Sequence, residues 1–169
     1  RRIGKNGRAF DAFYKAIWNQ DAKSAAYVYL ALICSRKKEY THALEFAEQA
    51  LLFHAHNFHA LNLKTMLLYA LGNSKAAEHA SYVLSLAPLN ILGLKLAGKE
   101  VDRHILNPNM LIDVSLEYAN AGFYEEAITL LGQNRFNFPL IGYYQAYFAA
   151  KAGLSCKNYL EQAASCSPD

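Results

Sequence analysis

His54, His56 and His59 stand in the run His54-Ala55-His56-Asn57-Phe58-His59, and imidazoles this close together are the first place to look for a metal site. A zinc site needs four converging ligands, or three and a water. The run offers no cysteine, and it straddles the end of one predicted helix and the start of the next, which turns the rings apart. Surface histidines and no metal are therefore expected. A second cluster, Tyr143-Tyr144-Gln145-Ala146-Tyr147-Phe148, could stack on a sugar ring or a peptide aromatic. Helical spacing equally suits packing between helices. Tyr143 and Tyr147 share one helical face and are the pair expected to be exposed. Nothing else suggests catalysis: there is no nucleophile elbow, no HExxH and no phosphate-cradling glycine loop. The acids Asp113, Glu117, Glu125 and Glu126 fall on positions predicted to face solvent. A non-catalytic chain without a cofactor is the expectation.

The elements that position these residues follow from apolar periodicity. Ala9, Phe13, Ala16 and Ile17 mark one helical face over roughly residues 8–23, and Ala43, Ala47, Ala50 and Leu51 restate it 34 positions later. Helix pairs are predicted over 24–57, 58–90, 108–138 and 139–169, with a shortened, degenerate unit over 91–107 in which Gly98 breaks a helix begun at Ile91. Asn57 and Asn90 are expected N-caps, and Asn107-Pro108 combines a cap with proline at the first helical position. Ala43 and Ala76 are 33 apart, which places a one-residue deletion in the turn Gly72-Asn73-Ser74-Lys75. The small residues Ala31, Thr65, Ser115 and Ala146 are expected opposite Ala43, Ala76, Ala127 and Cys156, letting the paired helices approach.

One stretch carries the pattern whole: Glu117-Tyr118-Ala119-Asn120-Ala121-Gly122-Phe123-Tyr124-Glu125-Glu126-Ala127. Gly122 can close a helix in the left-handed conformation, Tyr124 wedges between the helices, and Ala127 lets them meet. This resembles the tetratricopeptide repeat, a 34-residue helix-turn-helix unit. The first unit departs from it, with Lys38 where the turn glycine is usual. The resemblance implies an all-α fold, a right-handed superhelical solenoid of antiparallel helix pairs forming a single domain over 1–169. It also implies a concave groove lined by the first helix of each unit, through positions 2, 5, 6, 9, 12 and 13. Those positions hold Val28, Leu32 and Arg36, then His59, Asn62, Leu63, Met66 and Tyr69, then Asn109, Ile112, Asp113, Leu116 and Asn120, then Tyr143, Tyr144, Tyr147 and Lys151. The groove residues expected to meet a partner are Arg36, His59, Asn62, Met66, Asn109, Asp113, Asn120, Tyr143 and Tyr147. The family's carboxylate clamp of lysines, arginines and asparagines is not repeated, since Val28, Leu32, Leu63, Asn109 and Asp113 hold the matching positions.

The same motifs, with Ala26-Tyr27-Val28-Tyr29-Leu30-Ala31 and Asn57-Phe58-His59-Ala60-Leu61-Asn62-Leu63-Lys64, resemble the C-terminal repeat region of large bacterial multidomain proteins. Those proteins carry an upstream domain of unknown function and are similar to proteins found beside carbohydrate-utilisation systems. The resemblance implies a scaffold that binds a peptide or a neighbouring domain. Exposed tyrosines on a sugar, or a spacer or homodimerising unit, are the alternatives. Composition agrees with a packed chain: of 169 residues, 53% are apolar and 18% charged, and the net charge is only +3. That balance gives no reason to expect nucleic acid or an anionic membrane. Cys34, Cys156 and Cys166 form neither an even set nor a CxxC pair, so reduced thiols are expected. The chain starts in mid-pattern at Arg1 without a methionine and reads as a segment of a longer protein. Its compartment is left open, with the cytoplasm weakly favoured.

Overall fold

The structure, a computed structural model, describes residues 5–18, 22–99, 107–133 and 138–165. Among these the fold is all-helical: α1 (Lys5–Ala16), α2 (Lys23–Arg36), α3 (Tyr40–Phe53), α4 (Phe58–Ala70), α5 (Ala76–Leu86), α6 (Ile91–Leu96), α7 (Pro108–Asn120), α8 (Tyr124–Gly132), α9 (Pro139–Ala152) and α10 (Lys157–Ser165). Two compact units divide them, Arg1–Glu100 with α1 to α6 and Val101–Asp169 with α7 to α10. The helical turns expected over Val101 to Leu106 lie outside the described residues.

Local chemistry sets where helices start and stop. Asn57, Asn90 and Asn107 each accept a hydrogen bond from the backbone N–H three residues on, at 3.2, 2.8 and 2.9 Å. They cap α4, α6 and α7 as the sequence indicates. At the other end, α2, α4, α6, α7 and α9 all close in one way. Lys38, Gly72, Gly98, Gly122 and Gly153 take positive φ, and the next residue's N–H returns to the carbonyl five residues back, at 2.8 to 3.0 Å. That is the left-handed helix stop that satisfies otherwise orphaned carbonyls. Lys38 and Gly72 are 34 positions apart while Ala43 and Ala76 are 33 apart, so the deleted residue does lie in the turn after Gly72.

Lys38 performs the glycine's task with a Cβ, at φ 64. A left-handed L-residue costs about 1 to 2 kcal/mol, and glycine's extra freedom in the unfolded chain returns part of that. Lys38→Gly is expected to stabilise the protein by about 0.5 to 1 kcal/mol, read as a higher denaturation midpoint. An unchanged or lower midpoint would show that the turn is not strained.

Packing divides the helices into two kinds. Among first helices α4 is buried nearly all round, with Ala60 to Leu68 all buried except Lys64. Second helices bury one stripe, Ala43, Ala47 and Ala50 in α3, and Ala76, Ala80, Val83 and Leu84 in α5. The cause is placement. In the first unit α2 touches α1, α3 and α4, and α4 touches α3, α5, α2 and α6; in the second, α9 touches α8, α10 and α7. A helix enclosed on several sides must be apolar on several sides.

Two details depart from the sequence reading. A close approach between α9 and α10 that the sequence reading did not name is at Gly142, where an added Cβ would lie 2.7 Å from Cβ of Ala163. Cys156, expected against Ala146, is only half-buried. Cys34, by contrast, is buried at the end of α2, and burial with the neighbouring Glu39 carboxylate pushes its thiol up to about 11. Since the thiolate is the reactive form, iodoacetamide at neutral pH is expected to modify Cys156 in the folded protein well before Cys34. Equal rates, by mass spectrometry of the peptides, would contradict the burial of Cys34.

Candidate functional site

Numbering each unit so that its left-handed turn residue is position 15 separates the expected groove residues into two sets. Positions 2, 6 and 13 are mostly open. They hold His59, Asn109 and Leu140 at position 2, Tyr29 and Asp113 at position 6, and Arg36, Asn120 and Lys151 at position 13, all exposed. Positions 5 and 12 are mostly closed, with Val28, Asn62 and Ile112 at position 5 and Ser35 and Ala119 at position 12 buried; position 9 is mixed, Met66 buried and Leu32 and Leu116 half-buried, and Leu63 at position 6 is buried against the trend. The open positions form one stripe along a helix, because steps of four and seven residues return to the same face. It is most complete on α7, where Asn109, Asp113 and Asn120 present amide, carboxylate and amide around half-buried Leu116. Tyr29, which the sequence reading passed over, stacks on Phe13 of α1 with centroids 4.5 Å apart while remaining 49% exposed.

Asn62 and Met66 therefore do not face a partner, which corrects the sequence expectation. Asn62 is 4% exposed, and its Oδ1 accepts from Nδ2 of Asn90 at 3.1 Å, while Asn90 caps α6. The carboxamide is spent holding α6 against α4. Asn57 does the same one unit earlier: it caps α4 and donates to Oγ of Ser24, which in turn donates to the carbonyl of Ala50, each at 3.0 Å. Met66 is buried on the same stripe as Asn62. Tyr69, at position 12 of α4, is exposed because α6 is only six residues long, about 9 Å, and stops short of that end.

On α9 the closed positions are open. Tyr143 and Tyr147 are 49% and 53% exposed, and Ala150 is exposed, whereas Phe148 on the opposite face is fully buried. The Lys151 ammonium sits 5.5 Å from the Tyr147 ring centroid, near enough for cation–π attraction. His54, His56 and His59 are all exposed, and among the described residues no three potential metal ligands converge. No family model matches the chain, and comparison with curated proteins finds no relative. Function must be read from the surface geometry.

One titratable cluster lies between α3, α4 and α5. Lys64 pairs with Glu48 at 2.8 Å, and Oγ1 of Thr65 is 2.9 Å from Nδ1 of His79. The Thr65 hydroxyl donates to the carbonyl of Leu61 at 3.0 Å, which leaves its oxygen to accept from Nδ1–H of His79. Burial, then the Lys64 ammonium, lowers the His79 pKa from its ordinary 6.5, and Glu48 opposes them. A histidine with a lowered folded pKa takes up protons on unfolding once the pH falls below its unfolded value. Its contribution is present above pH 6.5 and is lost as pH falls from there towards the folded pKa. His79→Asn keeps a nitrogen donor near Thr65 without the titration, so it is expected to flatten the fall in stability below that pH. An unaltered pH profile would remove His79 as its source.

Proposed function

We propose that the chain is a non-catalytic interaction module of tetratricopeptide type. Its helix pairs stack into a right-handed superhelix, and the open stripe of its first helices holds an extended peptide or a segment of a neighbouring domain. The observation that carries this is the sorting on α2 and α7: packing buries positions 5 and 12, Val28 with Ser35 and Ile112 with Ala119, while Tyr29 and Arg36 on α2 and Asn109, Asp113 and Asn120 on α7 stay exposed. Exposed polar residues on otherwise enclosed helices are not needed for the core. The α7 stripe suits a ligand in extended form, because amides can donate to and accept from a peptide backbone while Asp113 selects a basic or hydroxyl-bearing side chain. The sugar reading of the tyrosines is weaker, since the Lys151 ammonium already takes up space beside the Tyr147 ring.

Panning a library of displayed peptides against the chain tests this. The expected result is an enriched set whose affinity falls at least about tenfold on Asp113→Ala, close to the loss of one charge-assisted hydrogen bond. Failure to enrich, or enriched peptides indifferent to Asp113 and Asn109, would overturn the groove reading.

A further inference from the structure

Charge in the first unit is sorted between two edges. The turns that follow α2, α4 and α6 bring together Arg36, Lys37, Lys38, Lys75 and Lys99, all exposed, against one carboxylate, Glu39. The connections at the opposite edge, 54–57 and 87–90, carry no lysine, arginine, aspartate or glutamate. Side-chain bonds place the basic turns side by side. Asn57 at the start of α4 donates to Ser24 at the start of α2, and Asn90 at the start of α6 donates to Asn62 in the second turn of α4. Short connections reverse the chain twice between first helices, so α2, α4 and α6 run the same way, α2 against α4 and α4 against α6. Helices of 14 and 13 residues that start together end together, and six residues from the level of Asn62 bring α6 to just short of Tyr69.

Lysines near a helix C-terminus also neutralise its dipole, but two observations go past that role. The α7–α8 hairpin closes on Gly122 in the same left-handed turn, yet Ala121 to Tyr124 carry no lysine or arginine, and Glu125 and Glu126 follow. A basic turn is therefore no requirement of the hairpin. At the first turn the left-handed residue is itself a lysine, Lys38 at φ 64, where the other four turns take glycine. A side chain held in that conformation is strained, and such strain collects where the side chain is used. The Lys37 ammonium lies 5.8 Å from the Phe10 ring centroid, drawn towards α1. Lys38, Lys75 and Lys99 then supply one cation per turn.

We propose that this ridge docks an acidic, extended segment of a partner protein, with Lys38, Lys75 and Lys99 each meeting one carboxylate. The spacing argues for a peptide. Packed helices lie about 8 to 10 Å apart, so the cations recur at about that step. A polyproline II segment returns to the same face every three residues, about 9 Å, so Asp or Glu at every third residue matches the ridge. Tyr69, 43% exposed on the central helix of the three, offers the aromatic surface on which prolines of such a segment pack. A strand of B-form DNA carries a charge about every 3.4 Å, far denser than the ridge. The ridge is separate from the α7 stripe and shares with that reading only the premise that the chain is an interaction module.

The probe is a labelled peptide of four Glu-Pro-Pro units, titrated into the full chain by fluorescence anisotropy at low salt. Saturable binding is expected, weakened at least about tenfold by Lys75→Glu with Lys99→Glu, two exposed changes that leave the helical circular dichroism unchanged. Lys38→Gly should weaken binding about threefold while raising the denaturation midpoint, the mark of a residue kept for contact at the expense of the fold. A peptide of the same composition with its glutamates adjacent should bind at least about threefold more weakly. Asp113→Ala should change nothing, which separates this ridge from the α7 stripe. Absence of saturation up to about 1 mM, or equal affinity for the two peptides, would overturn the proposal. So would tighter binding of a single-stranded thymidine oligonucleotide or of phosphatidylcholine vesicles containing phosphatidylserine, because the occupant would then be a phosphate polyanion.

Discussion

Asn90→Ala is expected to cost about 2 to 4 kcal/mol, more than any other helix cap in the chain. The substitution removes the bond that Gly93 N–H makes to the Asn90 side chain, at 2.8 Å, which for a helix cap is worth about 1 kcal/mol. It also takes the Asn90 donor away from Oδ1 of Asn62, a buried group, and a buried acceptor deprived of a donor costs about 1 to 3 kcal/mol. Asn107→Ala supplies the comparison. Asn107 caps α7 through Met110 N–H at 2.9 Å, but its side chain is exposed, so only the cap is lost, about 1 kcal/mol. Denaturation of both variants, followed by far-ultraviolet circular dichroism, gives the difference. A cycle with Asn62→Ala should show coupling of about 0.5 to 3 kcal/mol between Asn62 and Asn90. Equal losses for Asn90→Ala and Asn107→Ala would mean that the carboxamide pair does not hold α6 to α4.

Gly142→Leu is the second large effect, an expected loss of about 2 to 3 kcal/mol. A Cβ there would lie 2.7 Å from Cβ of Ala163, 3.1 Å from the carbonyl oxygen of Tyr159 and 3.2 Å from Cα of Ala163. Carbon atoms in good contact sit about 3.5 to 4.0 Å apart, and none of these three atoms is the free end of a flexible side chain. Leucine's better helix propensity, about 1 kcal/mol over glycine, opposes the loss without cancelling it. The damage should be local. Ala163 is the one buried residue of α10, so faster amide exchange is expected across Lys157–Ser165 while α2 to α5 keep their protection. Ala163→Gly in the same chain should recover part of the stability. A Gly142→Leu protein as stable as the parent would place α10 elsewhere.

These two positions show where sequence reasoning reaches and where it stops. Helix starts were legible because an asparagine cap is a local event: Asn57, Asn90 and Asn107 act on N–H groups three residues away. Helix stops were legible for the same reason at Gly72 and Gly122. At Lys38 the backbone adopts the same turn despite the residue, because the apolar patterns on both sides fix the helices that must meet there. The second bond of Asn90 was not legible, since it joins residues 28 apart in the chain. Asn62 therefore looked like a groove residue when it is a clamp. Gly142 was hidden likewise, lying inside a strongly helical run where its missing side chain matters only to α10.

The candidate surface was legible as a helical face and not as individual residues. Periodicity puts Asn62, Met66, Tyr143 and Tyr147 on the first-helix face that also carries Asn109, Asp113 and Asn120. Whether a position on that face is open depends on the helix laid beside it. A long neighbour closes positions 5 and 12 on α7, a short one leaves Tyr69 open on α4, and among the described residues none covers Tyr143 and Tyr147.

The central claim is that ligand binding uses the open positions and leaves the packed ones undisturbed. The most direct measurement is a nitrogen-15 NMR titration of the chain with a peptide recovered by panning, following the side-chain amides of asparagine. Progressive, saturable shifts of the Asn109 and Asn120 amides, with the Asn62 and Asn90 amides unmoved, are the predicted result. Shifts at Asn62 and Asn90 with none at Asn109 and Asn120 would contradict the account, because binding would then pry apart α4 and α6 and leave the α7 stripe unused.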